Sequence, residues 1–361
     1  MGSDSGDETN NTDDRTLKED LLHPDDFGPI PHPKHLSPSS AMTFKECPQS
    51  FLFQYLYKIK QPTNKILAKG SMCHSALEHV FDLDPKDRTL ENLQNLMRVE
   101  WAENRLEEEY RFLFEEEEED AETGSTNVRR DINAEREWGQ SALQLLENYY
   151  QSEDPRTILR PNPHKREVWV SADLTVDSSL GVTTPAGRAA TKTQPNPETF
   201  KVRGIIDRLD IVREAQRKVA LKVIDYKTGK APNLKYSPAM NQKIFEEKFY
   251  QLKIYALLMR EKTHAAANDK DSMDLRYLKL HFLTSEEGPA KPWEMDLGEN
   301  QEIRDDELQK VHKDLSQIWM DIGALVDKQD PKAFQHCDRP FCFCHVCRDR
   351  FVPGTVWERP E

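Results

Sequence analysis

The stretch VALKVIDYKTGK, residues 219–230, constrains the fold of this chain more than any other. Its apolar run through Val223 and Ile224 leads straight into Asp225, with Lys227 two residues on and Gly229 after that. In an extended strand, residues two apart share a face. Asp225 and Lys227 are therefore expected side by side at the end of a buried strand. A carboxylate and an ammonium cost free energy to desolvate unless they are paired or bound to something. An isolated Asp-x-Lys is most often a plain ion pair; in the right company it is a reactive site.

Two more strand-like segments come before it, REVWVSADLTV and FKVRGIIDRLDIV, so the three predict an antiparallel meander. The second carries Asp207, in a strand that should neighbour the one carrying Asp225. Two carboxylates on adjacent strands suit a hard divalent cation, Mg²⁺ or Mn²⁺, and the backbone carbonyl of Tyr226 offers a further oxygen. Lys227 can then orient a water near the metal or lower its pKa. An activated water and positive charge at the phosphate oxygens are the parts phosphodiester hydrolysis needs.

Helices are expected on both sides of the meander. Upstream, LSPSSAMTFKECPQSFLFQYLYKI can be capped by Ser37 or Ser39. AKGSMCHSALEHVFDL places His74 and Glu78 four apart on one face. LENLQNLMRVEWAENRLEEEYRFLF and EREWGQSALQLLENYYQS read as further helices. Downstream, FEEKFYQLKIYALLMREKT reads as a buried helix, LRYLKLHFLTS as a strand, and IRDDELQKVHKDLSQIWMDIGALVDK as a long amphipathic helix. Residues 1–35 lack apolar periodicity and are expected to be disordered. The Thr-, Pro- and Gly-containing segment 177–199 reads as a long mobile insertion. The expected plan is one α/β domain over 36–361, with a helical part at 36–152, a core at 165–285, and a C-terminal helix with a Cys-rich clasp at 300–350.

With 37% hydrophobic and 32% charged residues, the 361-residue chain suits a protein with a real core. No apolar run is long enough to cross a membrane. The acidic, polar N-terminus has neither a secretory apolar core nor an Arg-rich transit pattern. We read an intracellular protein with no membrane partner; the compartment is not resolved. A formal charge of -14 argues against nucleic acid. Much of the acid is concentrated in the run Glu115 to Asp120, expected to be a solvated helix face or a disordered loop, and binding needs only a local basic groove. Of six cysteines, Cys337, Cys342, Cys344 and Cys347 crowd near one end, which in an intracellular chain favours metal over disulfides.

Taken in order, LSPSSAMTFKECPQSFLFQYLYKI, AKGSMCHSALEHVFDLD, VRGIIDRLDIV, VIDYKTGKAP, KFYQLKIYALLM and the terminal cysteines resemble the RecB-like branch of the PD-(D/E)XK nucleases. That group also holds the AddB nuclease domain and the CRISPR adaptation exonucleases. The resemblance implies a restriction-endonuclease-like core, a mixed sheet flanked by helices, with an N-terminal helical region and a Cys-rich C-terminal tail. It implies that His74 of the GxxxH helix contributes to the metal site with Asp207 and Asp225. Lys227 is implied as the catalytic lysine, and Gln251 and Tyr255 of QxxxY as substrate contacts; four apart, they share a helix face. Glu167, in REVWV, matches a frequent upstream acid.

Many relatives hold a [4Fe–4S] cluster with one cysteine in the N-terminal CP helix and three at the C-terminus as C-x2-C-x5-C; four thiolates suit such a cluster. Cys47 before Pro48 matches the first, and Cys344 with Cys347 the C-x2-C pair, but the last position is Pro353. The set implied is Cys47, Cys342, Cys344 and Cys347, with Cys337 as a substitute for Cys342. The alternatives are Zn²⁺ on the tail cysteines, with His336 or His345, and no metal. Cys73 reads as a packed thiol.

The function implied is a metal-dependent DNA nuclease, an exonuclease acting on single strands or DNA ends in repair or recombination, beside a helicase or other repair protein. One alternative is a non-catalytic nuclease-like subunit that binds DNA or a helicase. The other is a zinc-ribbon interaction protein with the nuclease-like part as scaffold.

Overall fold

The computed structural model describes residues 22–119, 126–157, 166–180, 199–214, 219–265, 275–285, 289, 292–348 and 351. The chain divides into two compact units, one of residues 35–38 and 62–317, the other of 1–34, 39–61 and 318–361.

The larger unit is built on a five-stranded mixed sheet in the order β3 (Arg166–Thr175), β4 (Thr199–Arg213), β5 (Val219–Lys230), β6 (Leu275–Thr284), β7 (Trp293–Asp296). β3, β4 and β5 form the antiparallel meander, β5 and β6 pair in parallel, and β6 and β7 are antiparallel. The parallel step is made through α6 (Pro238–Ala265), the crossover such a pair needs. The two middle strands show near-continuous burial, as strands covered on both faces do.

Helices α3 (Lys65–His79), α4 (Leu90–Asn104) and α5 (Ile132–Ser152) flank the sheet. Each starts at a side chain that accepts from free amides: Asn64, Thr89 and Asp131. α5 presents Trp138, Ala142, Leu145 and Tyr149 as one apolar stripe, which shares a core with Met72, Leu77, Met97 and Ile224. Cys73 lies in that core, and burial pushes its thiol up to about 12.

The helix expected over 90–114 ends at Asn104, and a 3-10 turn covers Arg111–Phe114. The acid run is not a helix face. Glu115–Glu119 is strand β1, paired with β2 (Thr126–Arg130) so that Glu115 faces Arg130 and Glu116 faces Arg129. Opposite charges across a ladder stabilise the pairing that like charges along it oppose.

The smaller unit holds α2 (Pro48–Phe51), α8 (Phe343–Arg348), most of α1 (Pro38–Glu46) and the end of α7 (Gln301–Asp327). Of the segment expected to be disordered, residues 1–21 lie outside the described residues. Residues 24–27 form a 3-10 turn, Phe27 stacks on Tyr57 with centroids 4.6 Å apart, and the Ile30 amide donates to Gln329 Oε1 at 2.9 Å. Nearly all of the expected insertion, 181–198, also lies outside the described residues. No helix among the described residues is long and apolar enough to cross a membrane.

Candidate active site

β5 delivers Asp225 and Lys227 to one side and turns Tyr226 between them the other way. Asp225 is 2% exposed, and its Oδ2 lies 2.7 Å from Lys227 Nζ. That oxygen accepts no well-formed hydrogen bond among the described residues. The Lys227 ammonium, in turn, donates to Gln251 Oε1 at 3.1 Å, and Gln251 Nε2 donates to the Tyr255 hydroxyl at 3.0 Å. Four sequence-predicted residues thus form one chain of contacts, with α6 supplying Gln251 and Tyr255 one turn apart.

Asp207 comes from β4, at the point where β4 and β5 begin to part. Its Oδ2 accepts from the Tyr226 amide at 2.9 Å and lies 3.5 Å from His74 Nδ1. Burial, and then the Asp225 charge, push the Asp207 carboxyl up to about 8. Burial pushes His74 down, so its ring stays neutral near pH 7 and keeps a lone pair for a metal. The Tyr226 backbone lies within hydrogen-bonding reach of that ring.

Glu167 also reaches the cluster. The β3–β4 register pairs Arg166 with Arg208 and Val168 with Ile206, which sets Glu167 level with Asp207. Its φ is +46°, a conformation L-residues rarely adopt. Such strain gathers where a site over-determines the backbone. Burial, then the charges of Asp207 and Glu78, push Glu167 up to about 7. Glu78, one helical turn after His74, thereby belongs to the same field; its shared face with His74 was visible in the sequence, its role was not.

Behind the site lies a polar network that the sequence reading did not assign. Arg208, 1% exposed, donates to Asp210, Glu153 and the hydroxyls of Tyr149 and Tyr226. Lys279 donates to the second Glu153 oxygen at 2.6 Å. Burial alone would raise Glu153, but Arg208 and Lys279 outweigh it and hold the carboxyl far below its usual range. The signal was the residue after Asp207: an arginine at a buried position of a strand must be paired.

Gly204, also unassigned, gives Tyr255 its room. A Cβ there would stand 2.7 Å from Tyr255 Cε1 and 3.2 Å from Pro38 Cδ.

The donor set fits a hard divalent cation: two carboxylates, a neutral imidazole and a peptide carbonyl, with the buried Asp225 Oδ2 answered only by the Lys227 ammonium among the described residues. Asp207, Asp225, His74 and the Tyr226 carbonyl are the groups that could hold it.

In the smaller unit, the sulfurs of Cys47, Cys337, Cys342 and Cys344 lie within 4.8 Å of one another, a set able to hold a metal. This grouping holds Cys337 where the sequence reading had Cys347, and Cys347 is buried on α8. Cys342 and Cys344 sit where α8 begins, and Arg339 before them pairs with Glu46 beside Cys47 at 2.8 Å. The Cys344 thiol, donating to Cys47, holds Cys47 well below the ordinary thiol range, and the Ser50 amide adds to this.

The family model described as PD-(D/E)XK nuclease superfamily matches residues 35–349. None of the curated proteins compared with the chain matches it.

Proposed function

The chain belongs to the PD-(D/E)XK nuclease superfamily, and from that premise we propose that it is a Mg²⁺- or Mn²⁺-dependent deoxyribonuclease, an exonuclease acting on single strands or DNA ends in repair or recombination. The six motifs in order support a place in the RecB-like branch. The observation that carries the catalytic reading is the contact chain Asp225–Lys227–Gln251–Tyr255 set against Asp207 and His74.

Asp207, Asp225, His74 and the Tyr226 carbonyl would hold the ion. When bound, it supplies Lewis acidity at the scissile phosphate. Asp225 aims the Lys227 ammonium through their 2.7 Å contact. Lys227 orients the attacking water and stabilises the charge that develops on the phosphate oxygens. Gln251 fixes the Lys227 rotamer from the far side, and Tyr255 fixes Gln251, so the lysine is placed before substrate arrives. Burial and the Asp225 charge raise Asp207, so the two carboxylates repel in the site, and a divalent cation held there would offset that repulsion.

The four thiols of the smaller unit would hold a metal as a structural centre, a [4Fe–4S] cluster or Zn²⁺; four thiolates suit either.

Digestion of end-labelled linear and circular DNA with and without Mg²⁺, by the parent, Asp225→Ala and Lys227→Ala proteins, tests the reading. Metal-dependent loss of the linear substrate by the parent alone is expected. Equal activity in all three proteins would overturn catalysis at this site. Binding without cutting would favour the non-catalytic subunit.

A further inference from the structure

We propose that Trp169 and Arg203, paired on the open face of β3 and β4, form a stacking platform for single-stranded nucleic acid. The inference rests on the nuclease reading and adds to it a place where a strand is gripped.

Trp169 is 62% exposed. An indole in water is a large apolar surface left uncovered. It is not loose, because the Arg203 guanidinium lies over its ring, 5.7 Å from the centroid. The strand register places Trp169 opposite Ile205, Ser171 opposite Arg203, and Asp173 opposite Lys201. Trp169, Ser171, Asp173, Lys201 and Arg203 are all exposed, so the two strands present one solvent-facing row.

The charge on that row suits a phosphate backbone. Asp173 and Lys201 approach to 4.0 Å and offset each other. Arg203 has no carboxylate partner among the described residues. In a chain of net charge -14, an exposed guanidinium held by an aromatic ring instead of an acid is matched to an outside anion. An aromatic face with a cation beside it is the combination that grips single strands: bases stack on the ring and the cation meets the phosphate. A duplex keeps its base faces stacked internally, so the platform selects unpaired bases.

Glu167, two residues before Trp169 on β3, sits level with Asp207, and its left-handed φ of +46° breaks the strand alternation between the two.

The test is equilibrium binding by the full chain, with Ca²⁺ in place of Mg²⁺, of fluorescein-labelled oligothymidine and of an abasic oligomer of equal length. The parent is expected to prefer the strand with bases. Trp169→Ala is expected to raise Kd for oligothymidine by about tenfold, with little change for the abasic strand, and Trp169→Phe to recover most of the loss. Arg203→Ala is expected to lower the slope of log K against log salt by about one. Oligothymidine binding by Trp169→Ala within about twofold of the parent would overturn the platform, as would equal affinity of the parent for both strands. The second comparison needs no variant, so it stands even if a variant misfolds. A parent that cuts while Trp169→Ala binds unchanged overturns the platform alone. A parent that neither binds nor cuts overturns the nuclease reading with it.

Discussion

The Arg208 guanidinium donates a 2.7 Å hydrogen bond to the Tyr226 hydroxyl, while the Tyr226 amide donates at 2.9 Å to Asp207 Oδ2. One residue thus joins the buried polar network behind the sheet to the carboxylate in front of it. The network fixes where the tyrosine ring sits, and the strand backbone carries that placement to the site.

Arg208→Met should destabilise the protein by about 3–5 kcal/mol, because it leaves the Glu153 and Asp210 carboxylates buried with much of their compensation gone. Denaturant unfolding of the metal-free protein measures this. A loss below about 1 kcal/mol would show that Lys279 alone suffices.

Gln251→Ala should leave the fold intact and lower kcat by up to about a hundredfold, since Lys227 loses its second anchor but keeps Asp225. Single-turnover cleavage of an end-labelled strand gives the number. A change only in KM would make Gln251 a substrate contact and not a positioning residue.

Gly204→Ala should destabilise by about 1–3 kcal/mol through overpacking against Tyr255 and Pro38. The same change in a Tyr255→Ala background should cost much less. The double-mutant cycle reads the coupling; strictly additive effects would place the clash at Pro38.

His281 is fully buried, with its Nε2 2.7 Å from Ser152 Oγ. Burial, then the Lys279 charge, hold its pKa down at about 3, against an ordinary 6.5. A histidine kept neutral in the fold takes up its proton on unfolding. Its contribution is therefore complete above pH 6.5 and falls as pH drops from there toward 3. Melting temperature against pH should fall less steeply through that window for His281→Asn than for the parent. Parallel curves would contradict the assignment.

Cys337→Ser should strip the metal from the anaerobically purified protein, whereas Cys347→Ser should keep it. Iron, sulfide and zinc analysis of both variants checks the ligand set and identifies the metal.

The sequence carried the meander and the site on it, because both depend on local pattern. Apolar alternation marks a strand, and Asp225 and Lys227 share a face by geometry alone. It did not carry what depends on distant partners. Five glutamates in a row give no strand signal until Arg129 and Arg130 pair with them. Gly204 looks like any strand glycine until Tyr255, some fifty residues on, is seen against it. Spacing could not choose between Cys337 and Cys342, and in the fold the sulfurs of both lie within 4.8 Å of those of Cys47 and Cys344.

The ion pair between Glu46 and Arg339 spans 293 residues, and the thiols gathered beside it, from Cys47 to Cys344, span a similar stretch. At ribosomal speeds of about 5–20 residues per second, Cys47 leaves the exit tunnel roughly a quarter of a minute to a minute before its partners. The Cys47 thiol must cross that interval without them, open to oxidants and stray ions. Safe maturation of this centre is therefore a question of timing on the ribosome as much as of affinity.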